Sequence, residues 1–130
     1  MAKNTKNFKV SEFDCKCGCG FNIVDQRLID MCQTIRDYLG VPVKINSGCR
    51  CEKHNAKVGG VKGSYHTKGL AADLSCSLGA EAIWDAVHEL HDAWEFPDLS
   101  DLSYCIWYKK KNFVHIDCGA KRKNLYEVRA

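Results

Sequence analysis

A single carboxylate inside a short apolar run sets the tightest limit on how this chain can fold. Leu70-Ala71-Ala72-Asp73-Leu74 reads as a buried strand, and Asp73 must be buried with it. An uncompensated charge there costs several kcal/mol, so the fold has to bring it a cation: a metal ion, or a buried Arg or Lys. His66 lies seven residues upstream, and Gly69 between them lets the chain turn sharply enough for imidazole and carboxylate to meet.

His115 lies within Phe113-Val114-His115-Ile116-Asp117. Side chains alternate along a strand, so Phe113, His115 and Asp117 share one face. If this strand pairs near the one carrying Asp73, then His66, Asp73 and His115 converge. Two imidazoles and one carboxylate, with a fourth position left to water, form the donor set of a catalytic zinc site. A soft-metal site would recruit thiolates instead.

The rest of the chain supplies a frame for these residues. Its 130 residues fit one domain, 1–130, in which residues 1–10 read as a loose arm. Asp25 caps a helix running to Leu39, with Leu28, Cys32, Ile35 and Leu39 on one face and Gly40 at its end. Val41 to Asn46 alternates as a strand, and residues 47–70, rich in Gly, Ser, Asn and Lys, read as loop. Ala80 to Trp94 is a second helix, with Ile83, Val87, Leu90 and Trp94 facing inward. Ser103 to Tyr108 and Phe113 to Asp117 form two strands joined by the polar turn Lys109 to Asn112. This order predicts a small single α+β domain: an antiparallel sheet with flanking helices.

Apolar residues make up 45% and charged residues 27%, which excludes an extensively disordered chain. The net charge of +3 is dispersed and no base-reading motif occurs, so no nucleic-acid partner is expected. No run approaches the ~20 apolar residues of a membrane span, and a monomer is expected. The nine cysteines are an odd number. A disulfide framework is one reading; free or metal-bound thiols, in keeping with the polar N-terminal segment, are the other. Cys15, Cys17 and Cys19 form one close set and are candidates for a second, structural ion; Cys49 and Cys51 form another. Cys32, Cys76 and Cys105 read as small core hydrophobes. His88-Glu89-Leu90-His91 spaces its histidines by three, where a zinc-protease helix needs four, and reads as a solvated helix edge. His54 reads as ordering its loop.

Four ordered stretches carry a family resemblance. They are Ser11-Glu12-Phe13-x-Cys15-x-Cys17-Gly18-Cys19; Ile45 to Arg50 followed by His54-Asn55 and Val58-Gly59-Gly60-Val61; Ser64-x-His66-x-x-Gly69-x-Ala71-x-Asp73; and Val114-His115-Ile116-Asp117-x-Gly119. Together they resemble the D-Ala-D-Ala carboxypeptidase and L-Ala-D-Glu endopeptidase family, peptidase family M15, especially its small phage-lysin-like members. The resemblance implies an α+β zinc fold shared with the hedgehog signalling domain, and one catalytic Zn2+ on His66, Asp73 and His115. It also implies hydrolysis of a peptide bond in peptidoglycan stem peptides. Arg50 matches an arginine that steadies the substrate or the developing oxyanion. Ser64 matches a residue that binds substrate or orders the loop.

The family places an acid or a histidine two or three residues before the last ligand as general base. Here those positions hold Asn112 and Phe113, which cannot accept the proton. Asp117 is the internal candidate, either as base or as a carboxylate that orients an imidazole. A non-catalytic zinc module that recognises wall peptides or a protein partner is the alternative. No apolar run of signal-peptide length opens the sequence, so the expectation is synthesis in the cytoplasm and action on the wall after release.

Overall fold

The computed structural model describes residues 2–130. Asp25 accepts a hydrogen bond from the Arg27 amide and starts helix α1 (Gln26–Leu39), which ends at Gly40 with φ 70°. This helix buries Leu28, Ile29, Met31, Cys32 and Ile35, as their spacing requires. Strand β1 (Val43–Ser47) begins just after Pro42, which has no amide to donate to a ladder. There follow α2 (Glu52–Lys57), β2 (Ala71–Cys76), α3 (Ala80–Asp92), β3 (Tyr104–Tyr108), β4 (Phe113–Asp117) and β5 (Tyr126–Arg129). Short 3-10 turns cover Val10–Phe13, Tyr65–Lys68 and Pro97–Asp101.

The strands form one sheet in the order β1-β2-β4-β3-β5. All pairs are antiparallel except β3 with β5. The expected α+β architecture is therefore present. Helix α3 packs against β2, β3 and β4, and α1 packs on α3. Ile83, Val87 and Leu90 meet Ala72, Leu74, Cys105, Val114 and Ile116 in the core between them. The opposite face holds one cross-strand row, Asp73–His115–Ile106–Glu127, aligned by the register. The register also slips between Ile45 and Ser47: Ile45 pairs with Leu74, but Ser47 pairs with Asp73. This irregularity turns Ser47 from the core side to the side of Asp73.

Several sequence expectations need correction. Residues 2–10 are docked on α1 rather than loose. Phe8 is buried, the Lys3 amide donates to Gln26, and Thr5 and the Asn7 amide donate to Gln33. Residues 47–70 contain α2 and a 3-10 turn, because polar capping there replaces apolar periodicity as the organising signal. Trp94 is 89% exposed. Helix α3 stops at Asp92 and Ala93 is extended, so the helical phase that would aim Trp94 inward is lost. His88 and His91 do not form a solvated edge: Tyr126 of β5 stacks on His88 at 3.6 Å between ring centroids and meets His91 edge-on.

Candidate metal centre

His66 is delivered by the 3-10 turn Tyr65–Lys68. The Ser64 hydroxyl accepts from the His66 amide and caps that turn, and Gly69 ends it at φ 69°. A side chain at Gly69 would also press on the Ile23 carbonyl, so both conformation and space demand glycine. The His66 Nδ1–H donates to the Gly48 carbonyl at 2.7 Å. A carbonyl can only accept, which leaves the lone pair on Nε2, 3.3 Å from Asp73 Oδ1.

Strand pairing delivers the other two groups. Asp73 and His115 are direct partners across β2 and β4, and His115 Nδ1 lies 3.1 Å from the same Asp73 Oδ1. The opposite edge of the ring donates Nε2–H to Asp117 Oδ2 at 2.8 Å. The three donor atoms of His66, Asp73 and His115 all lie within 4.8 Å of one another. Bonds of about 2.0–2.1 Å to a tetrahedral ion put its ligands about 3.3 Å apart. The two imidazole-to-carboxylate separations match that edge, so the residues fit a zinc-sized ion. Each imidazole is also held through its other nitrogen, as metal-binding histidines are.

Burial alone would raise the pKa of Asp73, but hydrogen bonds to His115 and His66 and their charges hold it well below the carboxylate range. Burial alone would lower that of His115; its hydrogen bonds to Asp117 and Asp73, and their charges, raise it to about 9. Arg50 completes the compensation of Asp73. Its Nη2 donates to Asp73 Oδ2 at 3.2 Å, its Nε to Ser47 at 3.0 Å and its Nη1 to Asn55 at 3.2 Å. Burial of Asp73 demands a metal or an arginine; the fold supplies Arg50 on one oxygen and two imidazoles on the other. Three of the five guanidinium N–H groups are used, which leaves two to donate elsewhere.

Asp117 is 2% exposed, and its Oδ2 lies across the ring from the edge facing Asp73. Its Oδ1 is buried without a hydrogen-bond partner among the described residues. Asn112 and Phe113 have structural tasks instead of proton transfer. Asn112 takes φ 57° in the turn, and its side-chain oxygen accepts from the Ala80 amide at the start of α3. Phe113 stacks on Tyr108.

His66, Asp73 and His115 form part of the wall of an open cleft of ≈ 540 Å³, which Arg50, Lys62, Lys111, Arg122 and Arg129 make cationic. Behind two of its lining residues, Glu127 accepts from the Tyr104 hydroxyl and from Arg129. The sequence reading missed Glu127 because it missed β5. The signal was present: alternation of Tyr126 and Val128 puts Glu127 and Arg129 on the other face. All nine cysteines are free thiols, and Cys51 joins Cys15, Cys17 and Cys19 in one cluster. Among the expected core thiols, Cys32 and Cys105 are buried and Cys76 is partly so.

A family model described as Peptidase M15 matches residues 6–117. That span contains His66, Asp73, His115, Asp117, Arg50 and Ser64, and stops before β5. A search of curated proteins returned no match.

Proposed function

From the premise that the chain belongs to the peptidase M15 family, we propose that it is a zinc metallopeptidase that hydrolyses a peptide bond in bacterial peptidoglycan stem peptides. The observation that carries this reading is the convergence of His66, Asp73 and His115 in a cationic cleft, each held from behind by a separate protein group. The bound zinc ion would supply a Lewis acid that polarises the scissile carbonyl and acidifies water.

The chain's own groups take the remaining tasks. Gly48 holds His66 and Asp117 holds His115, each through the nitrogen turned away from the metal. Arg50 pairs with Asp73 and lines the cleft with two N–H groups free to donate, which suits it to the negative charge that develops on the carbonyl oxygen. Ser64 orders the turn that presents His66. Stem peptides carry free carboxylates, and the basic side chains that line the cleft suit them. Glu127 is the remaining carboxylate on the site face, but Arg129 and the Tyr104 hydroxyl occupy both its oxygens and lower its pKa, which makes it a weak base.

One observation favours a second reading, a zinc module that binds wall peptides without cutting them. Asp117 is committed to the far edge of His115, and Asn112 to the start of α3. Digestion of purified muropeptides, with product masses compared before and after chelation, separates the two. The peptidase reading expects new products that vanish with chelator and return with zinc. Muropeptides left intact by fully zinc-loaded protein would overturn it.

A further inference from the structure

Outside the His66 site, four thiols converge from two distant segments. Cys15, Cys17 and Cys19 lie on the loop before α1, and Cys51 immediately precedes α2. Their sulfur atoms all lie within 4.8 Å of one another. Cys15 Sγ and Cys17 Sγ are 3.4 Å apart, and Cys17 Sγ and Cys51 Sγ are 3.7 Å apart. A disulfide needs about 2.05 Å between sulfurs. Four sulfurs around one zinc ion, at about 2.3 Å each, are separated by about 3.8 Å. The observed contacts match the second figure, and no pair approaches the first.

The backbone is arranged to serve these sulfurs. Gly18 and Gly20 take positive φ, 79° and 88°, and fold the loop so that alternate residues point to one place. The Cys51 amide donates to Cys15 Sγ at 3.4 Å, and the His54 amide donates to Cys51 Sγ at 3.3 Å. Amide donors of this kind stabilise thiolate over thiol. Cys49, although adjacent in sequence, is turned away and bonded to the Phe21 carbonyl. Four thiolates gathered without a cation would repel one another, and a tetrahedral sulfur set selects a soft divalent ion.

We propose that Cys15, Cys17, Cys19 and Cys51 bind a structural zinc ion that ties the N-terminal loop to the segment carrying Gly48 and Arg50. The tie matters to the other site. Cys51 follows Arg50, the partner of Asp73, and lies three residues from Gly48, whose carbonyl holds His66. This site is independent of whether the chain cuts peptides.

The test counts metal in the full chain and reads its ligands. Elemental analysis of protein purified with zinc should give two zinc ions per chain. Cys17 and Cys19 are both exposed, so Cys17→Ser with Cys19→Ser removes ligands without opening the core, and this variant should retain one. Cobalt-substituted wild type should show strong thiolate-to-cobalt charge-transfer absorption. That absorption should survive His66→Ala with His115→Ala and disappear in the double cysteine variant. An unchanged zinc count in the cysteine variant, or cobalt spectra without thiolate absorption, would each overturn the proposal; a single zinc in wild type that the cysteine variant loses would support it and count against the histidine site instead. So would iron in place of zinc, or a non-reduced mass two hydrogen atoms lighter for each disulfide. The cobalt spectrum of wild type decides the matter even if the cysteine variant fails to fold.

Discussion

His115 uses both ring nitrogens, and the two contacts place different demands on it. Nε2–H is held by Asp117, while Nδ1 faces Asp73 Oδ1. In metal-free protein both nitrogens carry protons up to a pKa of about 9, against about 6.5 for an unfolded histidine. A group whose pKa is raised on folding contributes its full stabilisation below the unfolded value and loses it as pH rises through the folded one. Chelator-treated protein should therefore melt at lower temperature at pH 9 than at pH 6.5, as measured by circular dichroism. Zinc must displace the Nδ1 proton, so its affinity should rise over the same interval. Calorimetry at pH 7 in buffers of different ionisation enthalpy should find about one proton released at this site. Asp117→Asn keeps an acceptor for Nε2–H but removes the charge behind the ring, and should weaken zinc binding about 10–100-fold in competition with a chelating dye. Lost turnover with zinc affinity intact would instead return Asp117 to the role of base. The sequence showed that Asp117 and His115 share a face, which follows from strand alternation alone. Which edge of the ring Asp117 meets depends on side-chain rotation, and that is set by neighbours distant in sequence.

At the scale of elements, the site depends on how the N-terminal turn lies across the end of β1. The Cys49 amide donates to the Phe13 carbonyl at 2.8 Å, and a Cβ on Gly48 would overlap the Phe13 backbone. Gly48→Ala must push the two segments apart, at a cost of about 1–3 kcal/mol. It should also shift the carbonyl that holds His66. The expected outcome is a lower denaturation midpoint together with weaker zinc binding, read by chemical unfolding and by the same dye competition. A stability loss with zinc affinity intact would show that the Gly48 carbonyl is not needed. Helices α1 and α3 and strand β4 were legible in sequence because each follows a regular period of burial, and β2 because it is a short apolar run buried on both faces. Strand β5 was not: its four residues sit at a sheet edge and are half-buried at most, so they leave little hydrophobic pattern. The end of α3 also departs from the sequence pattern at Trp94. Apolar spacing continues past Asp92, but the helix does not.

Across the whole molecule, the two cysteine and histidine clusters join segments that the sheet alone does not bind together. The histidine site links the Tyr65–Lys68 turn to β2 and β4, and the thiol cluster links the N-terminal loop to the start of α2. Ions that bind only the folded state stabilise it by mass action, about 2.7 kcal/mol each at a hundredfold excess over Kd. Removing both with a strong chelator should lower Tm by on the order of 10 °C per site, as followed by differential scanning calorimetry. An unchanged Tm after verified metal removal would contradict this. The sequence by itself determined that Asp73 is buried and needs a cation, that His66 can turn back to it, and that His115 and Asp117 share a face. Those conclusions rest on local periodicity and on the cost of burying charge. Only the tertiary structure decided that Arg50 takes one oxygen of Asp73 while two imidazoles take the other, that Asp117 stands behind His115, and that Cys51 completes the thiol cluster. Those contacts depend on strand register, on the irregularity in β1 and on segments brought together from far apart in the chain, none of which leaves a periodic trace.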